Sequence, residues 1–313
     1  RVVLSDVAPW TGPELGGTLV TLTGAGVGAV SSSELGCRFG ESEVVSASVH
    51  GGSEARCVSP SSGLGGWTSV ELLSDGVALR SGGSFLYYSR VWVSAVAPLL
   101  GPVEGGTRLT VLGTPFREAA TLRCRFDERS KTVTARHVGA GQLECATPVQ
   151  SGAGSRAVEV SLNAQQFSTS GVGFTYVSTV SLSSVWPSRG ASEGGTAVTV
   201  HGSGLTALSE QLGYLQCRFN GTVVSASGAT GTSAVCNSTS ATGIASVEVS
   251  SNGRDFTTSG VQFELVRVVL SDVAPWTGPE LGGTLVTLTG AGVGAVSSSE
   301  LGCRFGESEV VSA

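Results

Sequence analysis

Residues 1–47 return letter for letter as residues 267–313, a displacement of 266. Arg1-Val2-Val3-Leu4 becomes Arg267-Val268-Val269-Leu270, and Ala47 becomes Ala313. Polar Ser, Thr and Glu are repeated with the apolar residues, although no fold requires that. The pattern is that of a window on a longer periodic polypeptide, one full period and the start of the next. A shorter period lies inside it. Ala8-Pro9 is echoed by Ala97-Pro98, Trp186-Pro187 and Ala274-Pro275, at steps of 89, 89 and 88. Gly16-Gly17-Thr18 is echoed at Gly105, Gly194 and Gly282 with the same steps. The spacing predicts modules at 1–89, 90–177 and 178–266, with 267–313 as the first half of a repeated first module.

The local pattern predicts strands. Thr18-Leu19-Val20-Thr21-Leu22-Thr23 alternates in polarity, the signature of a half-buried strand. Leu35-Gly36-Cys37-Arg38-Phe39 places Leu35, Cys37 and Phe39 on one face. Further strands are expected at Ala55–Val58, Val70–Ser74 and Phe85–Tyr88, with Gly16-Gly17 as a tight turn. Short strands joined by Gly, Pro and Ser turns read as an immunoglobulin-like sandwich, and no segment carries a helical stripe. Only 13% of residues are charged, and Val and Leu recur with period two, which sets the chain apart from disordered sequences.

Seven cysteines fall into couples: Cys37 with Cys57, Cys124 with Cys145 and Cys217 with Cys236, leaving Cys303 unpaired in this window. Closing such a loop contributes about 3 kcal/mol in the chain-entropy description, a large amount for a module this small. Buried free thiols are one alternative. Zinc is another, weakened by the lack of Cys-x-x-Cys and by a supply of only three histidines. Disulfides imply an oxidising compartment, so the expected location is extracellular or at the cell surface.

The pattern Ala-Pro…Gly-Pro…Gly-Gly-Thr-x-Val-Thr-Leu-x-Gly, then Cys-Arg-Phe, then Cys-x-x-Pro, then Phe-x-Tyr resembles the IPT/TIG family, the immunoglobulin-like modules of plexins, certain transcription factors and many cell-surface proteins. The second module carries it through Gly101-Pro102, Gly105-Gly106-Thr107, Cys124, Cys145-Ala146-Thr147-Pro148 and Phe174-Thr175-Tyr176. The third departs at Arg189-Gly190-Ala191, Asn237 and Phe263-Glu264-Leu265. The resemblance implies an all-β chain of tandem immunoglobulin-like β-sandwiches of IPT/TIG type, end to end, with one disulfide per module. It implies no single activity.

Linkers are almost absent: Tyr88-Ser89-Arg90-Val91 and Tyr176-Val177-Ser178-Thr179 run from one module into the next. A flexible tether would be longer and richer in Gly or Ser. Trp10, Trp92, Trp186 and Trp276 fall near these junctions. They are read either as core residues or, with Leu99 and Leu100, as inter-module wedges. Strands of about 20 Å plus end loops would let three modules extend roughly 100 Å if straight.

Catalytic chemistry finds little purchase. His50, His137 and His201 occupy non-equivalent places, and none has an adjacent nucleophile motif. Gly24-Ala25-Gly26-Val27-Gly28 follows a strand but lacks the helix and Gly-Lys-Ser/Thr of a phosphate loop. Asp127-Glu128-Arg129 reads as a solvated turn carrying its own counter-ion, without a calcium-loop pattern. No catalytic residue, metal or cofactor is expected. The net charge of −6 and the single lysine, Lys131, argue against nucleic acid. No apolar run spans a bilayer, so membrane attachment is expected only outside this segment.

Asn220-Gly221-Thr222 and Asn237-Ser238-Thr239 are acceptor sequons for N-glycosylation. Ser31-Ser32-Ser33 and Ser59-Pro60-Ser61-Ser62 are candidate O-linked segments or plain polar turns. The leading expectation is a structural protein, an extracellular filament of disulfide-clamped and glycosylated modules. Its partners would be neighbouring modules and further copies. The competing expectation is the stalk of an adhesin or receptor binding protein or carbohydrate ligands, with an exposed Trp67 or Tyr87 stacking on sugar rings.

Overall fold

Along Leu19–Ala25 the side chains of Val20 and Leu22 are fully buried while Leu19 faces out, because successive side chains leave a strand on opposite faces. The same rule buries Leu35, Cys37 and Phe39. The computed structural model describes residues 2–30, 35–127, 131–295 and 301–312. It gives the first module eight strands: β1 (Val3–Ala8), β2 (Thr11–Pro13), β3 (Leu19–Ala25), β4 (Leu35–Phe39), β5 (Val45–His50), β6 (Glu54–Val58), β7 (Gly66–Ser74) and β8 (Val77–Tyr88). Their hydrogen-bonded order is β1-β3-β6-β5-β4-β7-β8-β2.

Two layer changes make this order a sandwich. β5 is one corner: Ala47–His50 pair with β6, while Val45 and Ser46 pair with β4. The other lies between Ala8 and Thr11, so that β1 runs antiparallel to β3 and β2 parallel to β8. Val20, Leu22, Cys37, Phe39, Leu72 and Phe85 fill the space between the layers. Phe39 and Phe85 meet edge to face with centroids 5.3 Å apart, a favoured aromatic geometry. The Cys-Arg-Phe phenylalanine meets the closing phenylalanine in the other modules too. Phe126 and Phe174 are 6.3 Å apart, and Phe219 and Phe263 5.9 Å.

The second and third modules repeat the eight-stranded arrangement. The third adds a five-residue helix, Ala207–Gln211, that Thr206 caps by accepting a hydrogen bond from the Ser209 amide. Five residues are too few to show a helical period, so no stripe betrayed it. In the fourth segment Val269–Ala274 pairs with Thr287–Ala291 in the register that joins β1 to β3. Val273 is 40% exposed there, whereas its counterpart Val7 is 7% exposed. By its contacts the chain divides into two units, residues 1–99, 108–150 and 154–175 in one, and 100–107, 151–153 and 176–313 in the other.

Disulfides join Cys37 to Cys57, Cys124 to Cys145 and Cys217 to Cys236, with Cα–Cα separations of 6.3, 6.4 and 6.3 Å, inside the ordinary range for a bridge. In the first module the bridge runs from β4 to β6, so it ties the two layers beside the β5 corner. Cys303 is free. Replacing Cys124 and Cys145 together by Ala is expected to lower stability by about 3 kcal/mol. Urea unfolding followed by tryptophan fluorescence measures it, and an unchanged midpoint would contradict the expectation.

Candidate inter-module interface

The Gly16-Gly17 turn exists because both residues take positive φ, 76° and 82°, which suits glycine alone at low cost. At Gly16 a Cβ would also sit 2.5 Å from the Pro60 carbonyl carbon. The turn leads into Thr18, which is fully buried. Its amide donates to the Ser59 hydroxyl at 3.1 Å. The Thr18 hydroxyl finds side-chain partners in the second module.

Those partners sit on the loop that follows the strand Gly154–Ser161. Asn163, only 2% exposed, organises the loop: its Oδ1 accepts from the Ser161 hydroxyl and from the amides of Gln165 and Gln166, each at 3.1 Å. Its Nδ2 donates across the junction to Thr18 Oγ1 at 3.2 Å and to the Thr11 carbonyl at 3.3 Å. Thr18 Oγ1 donates to Gln166 Oε1 at 2.9 Å, and Gln166 Nε2 donates to the Gly17 carbonyl at 2.8 Å. Gln165 grips Leu19 twice. Its Oε1 accepts from the Leu19 amide and its Nε2 donates to the Leu19 carbonyl, both at 2.9 Å. A side-chain amide thus pairs with a main-chain peptide as a neighbouring strand would. Arg90, in the short link, adds a bond to Thr169 Oγ1 at 2.6 Å.

In the other unit Thr107 is fully buried and stands where Thr18 stands. Asn252 Nδ2 donates to Thr107 Oγ1 at 3.4 Å, and Thr107 Oγ1 donates to Asp255 Oδ2 at 2.5 Å. Asn252 Oδ1 accepts from the Ser250 hydroxyl and the amides of Arg254 and Asp255. Two loops therefore present one geometry, Asn-Ala-Gln-Gln-Phe at 163–167 and Asn-Gly-Arg-Asp-Phe at 252–256. Each loop is braced by a buried glutamate. Glu159 accepts from the Ser168 hydroxyl and from the amides of Ser170 and Gly171. Glu248 accepts from the Thr257 hydroxyl, from the amide and hydroxyl of Ser259 and from the Gly260 amide. Arg125 and Arg218 lie over Phe167 and Phe256, 4.2 and 4.4 Å from the ring centres.

The residues expected at the junctions fall elsewhere or stay partly open. Trp10 stacks on Trp67 of its own module with ring centres 5.6 Å apart, and both are exposed. Trp92 lies under Arg90, and Trp186 and Trp276 are exposed. Leu100 is buried and Leu99 is 40% exposed. Tyr87, expected to be exposed, is buried. Its ring packs against Phe85 at 5.0 Å and its hydroxyl donates to the Pro60 carbonyl. It cannot stack on a sugar ring, whereas Trp67 is exposed.

Asn220 and Asn237 are both exposed. Asn220 has a positive φ of 53°, at the position held by Gly40 and Asp127 with φ of 60° and 94°. Asparagine is one of the few residues that tolerates that backbone. Its Oδ1 accepts from the Ser246 amide at 2.8 Å. His50, His137 and His201 lie on separate strands. Among the described residues no three His, Cys, Asp or Glu side chains gather as a metal site. Ser31-Ser32-Ser33, Glu128 and Arg129 lie outside the described residues.

A family model described as "IPT/TIG domain" matches residues 3–88, 92–176 and 181–265. Plexin-A3 of Rattus norvegicus is 28% identical over 225 residues, covering 66% of this chain and 11% of the plexin. Plexin-A4 of Homo sapiens is 32% identical over 170 residues, covering 50% of this chain and 8% of the plexin. The chain thus spans about a tenth of the length of these relatives. Among solved structures, the plexin A4 extracellular region aligns over 90% of this chain and 26% of its own, with TM-score 0.47 and 17% identity. Because disulfides persist only under oxidising conditions, the three bridges and the plexin likeness put the modules in an extracellular or cell-surface setting.

The glutamate brace responds to acid. Burial pushes the Glu248 carboxyl up, but its hydrogen bonds from Thr257, Ser259 and Gly260 outweigh that and hold it below the ordinary carboxylate value. A carboxyl lowered on folding stabilises the fold above its unfolded pKa, and that contribution is lost as pH falls through the folded value. Stability measured by urea unfolding is therefore expected to drop as pH falls below about 4.5. Glu248→Gln should make that acid limb shallower, and an identical limb in the variant would contradict the assignment.

Proposed function

The chain belongs to the IPT/TIG family, and on that premise we propose that it is a structural spacer, a run of modules in an extracellular filament. The observation that carries this reading is the verbatim return of residues 1–47 at 267–313, exposed polar residues included. Repetition of surface as well as core presents identical faces at regular intervals, which a filament uses and a single binding site does not. The junction between the first two modules supports it in physical terms. Fixed side-chain bonds on buried groups limit the swing that a short link alone would allow, since inter-domain motion is the default where an interface is small and loose. Glycans on the third module would coat the array once per period. Asn237 is the better acceptor, because the backbone at Asn220 has a reason of its own to choose asparagine.

A second reading rests on the plexin likeness: the modules form the stalk of a surface receptor or adhesin whose recognition domain lies elsewhere in a longer chain. Its ligand would be a protein or, through the exposed Trp10–Trp67 pair, a carbohydrate.

Electron microscopy of native material separates the two. Thin fibres with an axial repeat of three modules are expected, and mass spectrometry of the same material should find hexosamine on Asn237. Isolated surface receptors with no fibres containing this chain would overturn the filament reading and favour the stalk.

A further inference from the structure

The first module differs from the next two in one segment. β7 and β8 are joined by a tight turn at Asp75-Gly76, with Ser74 opposite Val77 in register, so nothing projects beyond the strands. In the second module the strand Gly154–Ser161 ends, and eleven residues, 162–172, intervene before Gly173–Val177. The third module has the same eleven-residue interval, 251–261. These intervals are the loops that carry Asn163 and Asn252 onto Thr18 and Thr107. The rewiring reaches the strands beneath. In the hairpin module Glu71 is bound by Arg38, with Nη2 at 2.5 Å and Nε at 3.0 Å. In the loop modules the equivalent Glu159 and Glu248 brace the loop instead, and the equivalent Arg125 and Arg218 turn onto Phe167 and Phe256.

Arginine, glutamate and loop therefore switch together between two states. In one the ion pair closes the strand pair into a plain hairpin. In the other the glutamate is released to hold a plug, and the plug fills the Gly-Gly-Thr socket of the preceding module.

We propose that the plug is a junction code: a module with Asn-x-x-Gln/Asp-Phe in this segment locks onto the module before it, and a hairpin module does not. The fourth segment repeats the hairpin module through its first 47 residues. A continuation identical to residues 48–89 would place a module without a plug after the third socket, Gly194-Gly195-Thr196. That junction, around residues 266 and 267, would then be the unlocked one. The inference concerns the junctions and holds for a filament and a stalk alike, so its failure leaves the proposed function standing.

Pulsed electron–electron distance measurements test it. In the 313-residue chain Cys303→Ser removes the free thiol. One label pair, Leu64→Cys with Val149→Cys, spans the first junction at residues 81% and 63% exposed. A second pair, Ile244→Cys with Leu281→Cys, spans the third junction, in the chain extended by another copy of residues 48–89 so that the fourth module is whole. In the extended chain Cys303 is kept, to pair with the added copy of Cys57 as Cys37 does. A narrow distance distribution is expected across the first junction and one at least twice as wide across the third. Asn163→Asp keeps the oxygen that orders the loop but removes the amide donor to Thr18, Thr11 and, within the loop, Gln166. It should broaden the first distribution while circular dichroism stays unchanged. Equal widths at both junctions, or a first junction indifferent to Asn163→Asp with the fold intact, would overturn the proposal. If Asn163→Asp loses its fold, Gln165→Ala, at an exposed residue that grips only Leu19 across the junction, is read instead, with the same two outcomes.

Discussion

A hydroxyl taken out of water must be hydrogen-bonded or it costs free energy, and Thr18 and Thr107 are both fully buried at the ends of their modules. The residue before each turn is proline, Pro13 and Pro102, which has no amide to offer the hydroxyl as Ala191 offers Thr196 in the third module. The need is met by an asparagine that is itself buried and satisfied on every side, with Oδ1 holding its own loop and Nδ2 reaching the neighbouring turn. The arrangement is mutual. Take away the neighbour and the threonine is left short of a partner; take away the loop order and the asparagine no longer points at it. Polar groups of this kind add little net stability but discriminate strongly between geometries, because each wrong arrangement leaves a buried group unpaired.

The sandwich itself was legible in the residues. Alternation at Leu19–Ala25 and Leu35–Phe39, the Gly-Gly turn and the spacing of Cys-Arg-Phe to the second cysteine each report a local geometric demand, and local demands show in local sequence. The junction was legible only in part. The short link pointed to a close contact between modules, and the large apolar residues beside it suggested how. Trp10, however, finds its stacking partner in Trp67 of the same module. The contact is made by small polar side chains of the kind that loops carry anyway, and a residue's composition does not tell which loop will be buried. A signal was present nonetheless. Asn-x-x-Gln/Asp-Phe recurs at 163–167 and 252–256, and the first module has Asp75-Gly76 in its place.

The sequons show the same limit from the other side. Asn220 matches an acceptor pattern, yet its position takes a left-handed backbone in all three modules, filled by Gly40, Asp127 and Asn220 in turn. A motif and a turn ask for the same residue there. Asn237 has no such second reason, and it sits at the exposed end of a strand.

Thr18 and Asn163 thus act as one unit across a module boundary. A double-mutant cycle measures this, with Thr18→Val, Asn163→Ala and the double variant each unfolded in urea. A coupling of about 1 kcal/mol or more is expected between the two sites, since groups sharing a buried network do not add. Single-variant losses that sum to the double within about 0.5 kcal/mol, as independent sites do, would contradict it.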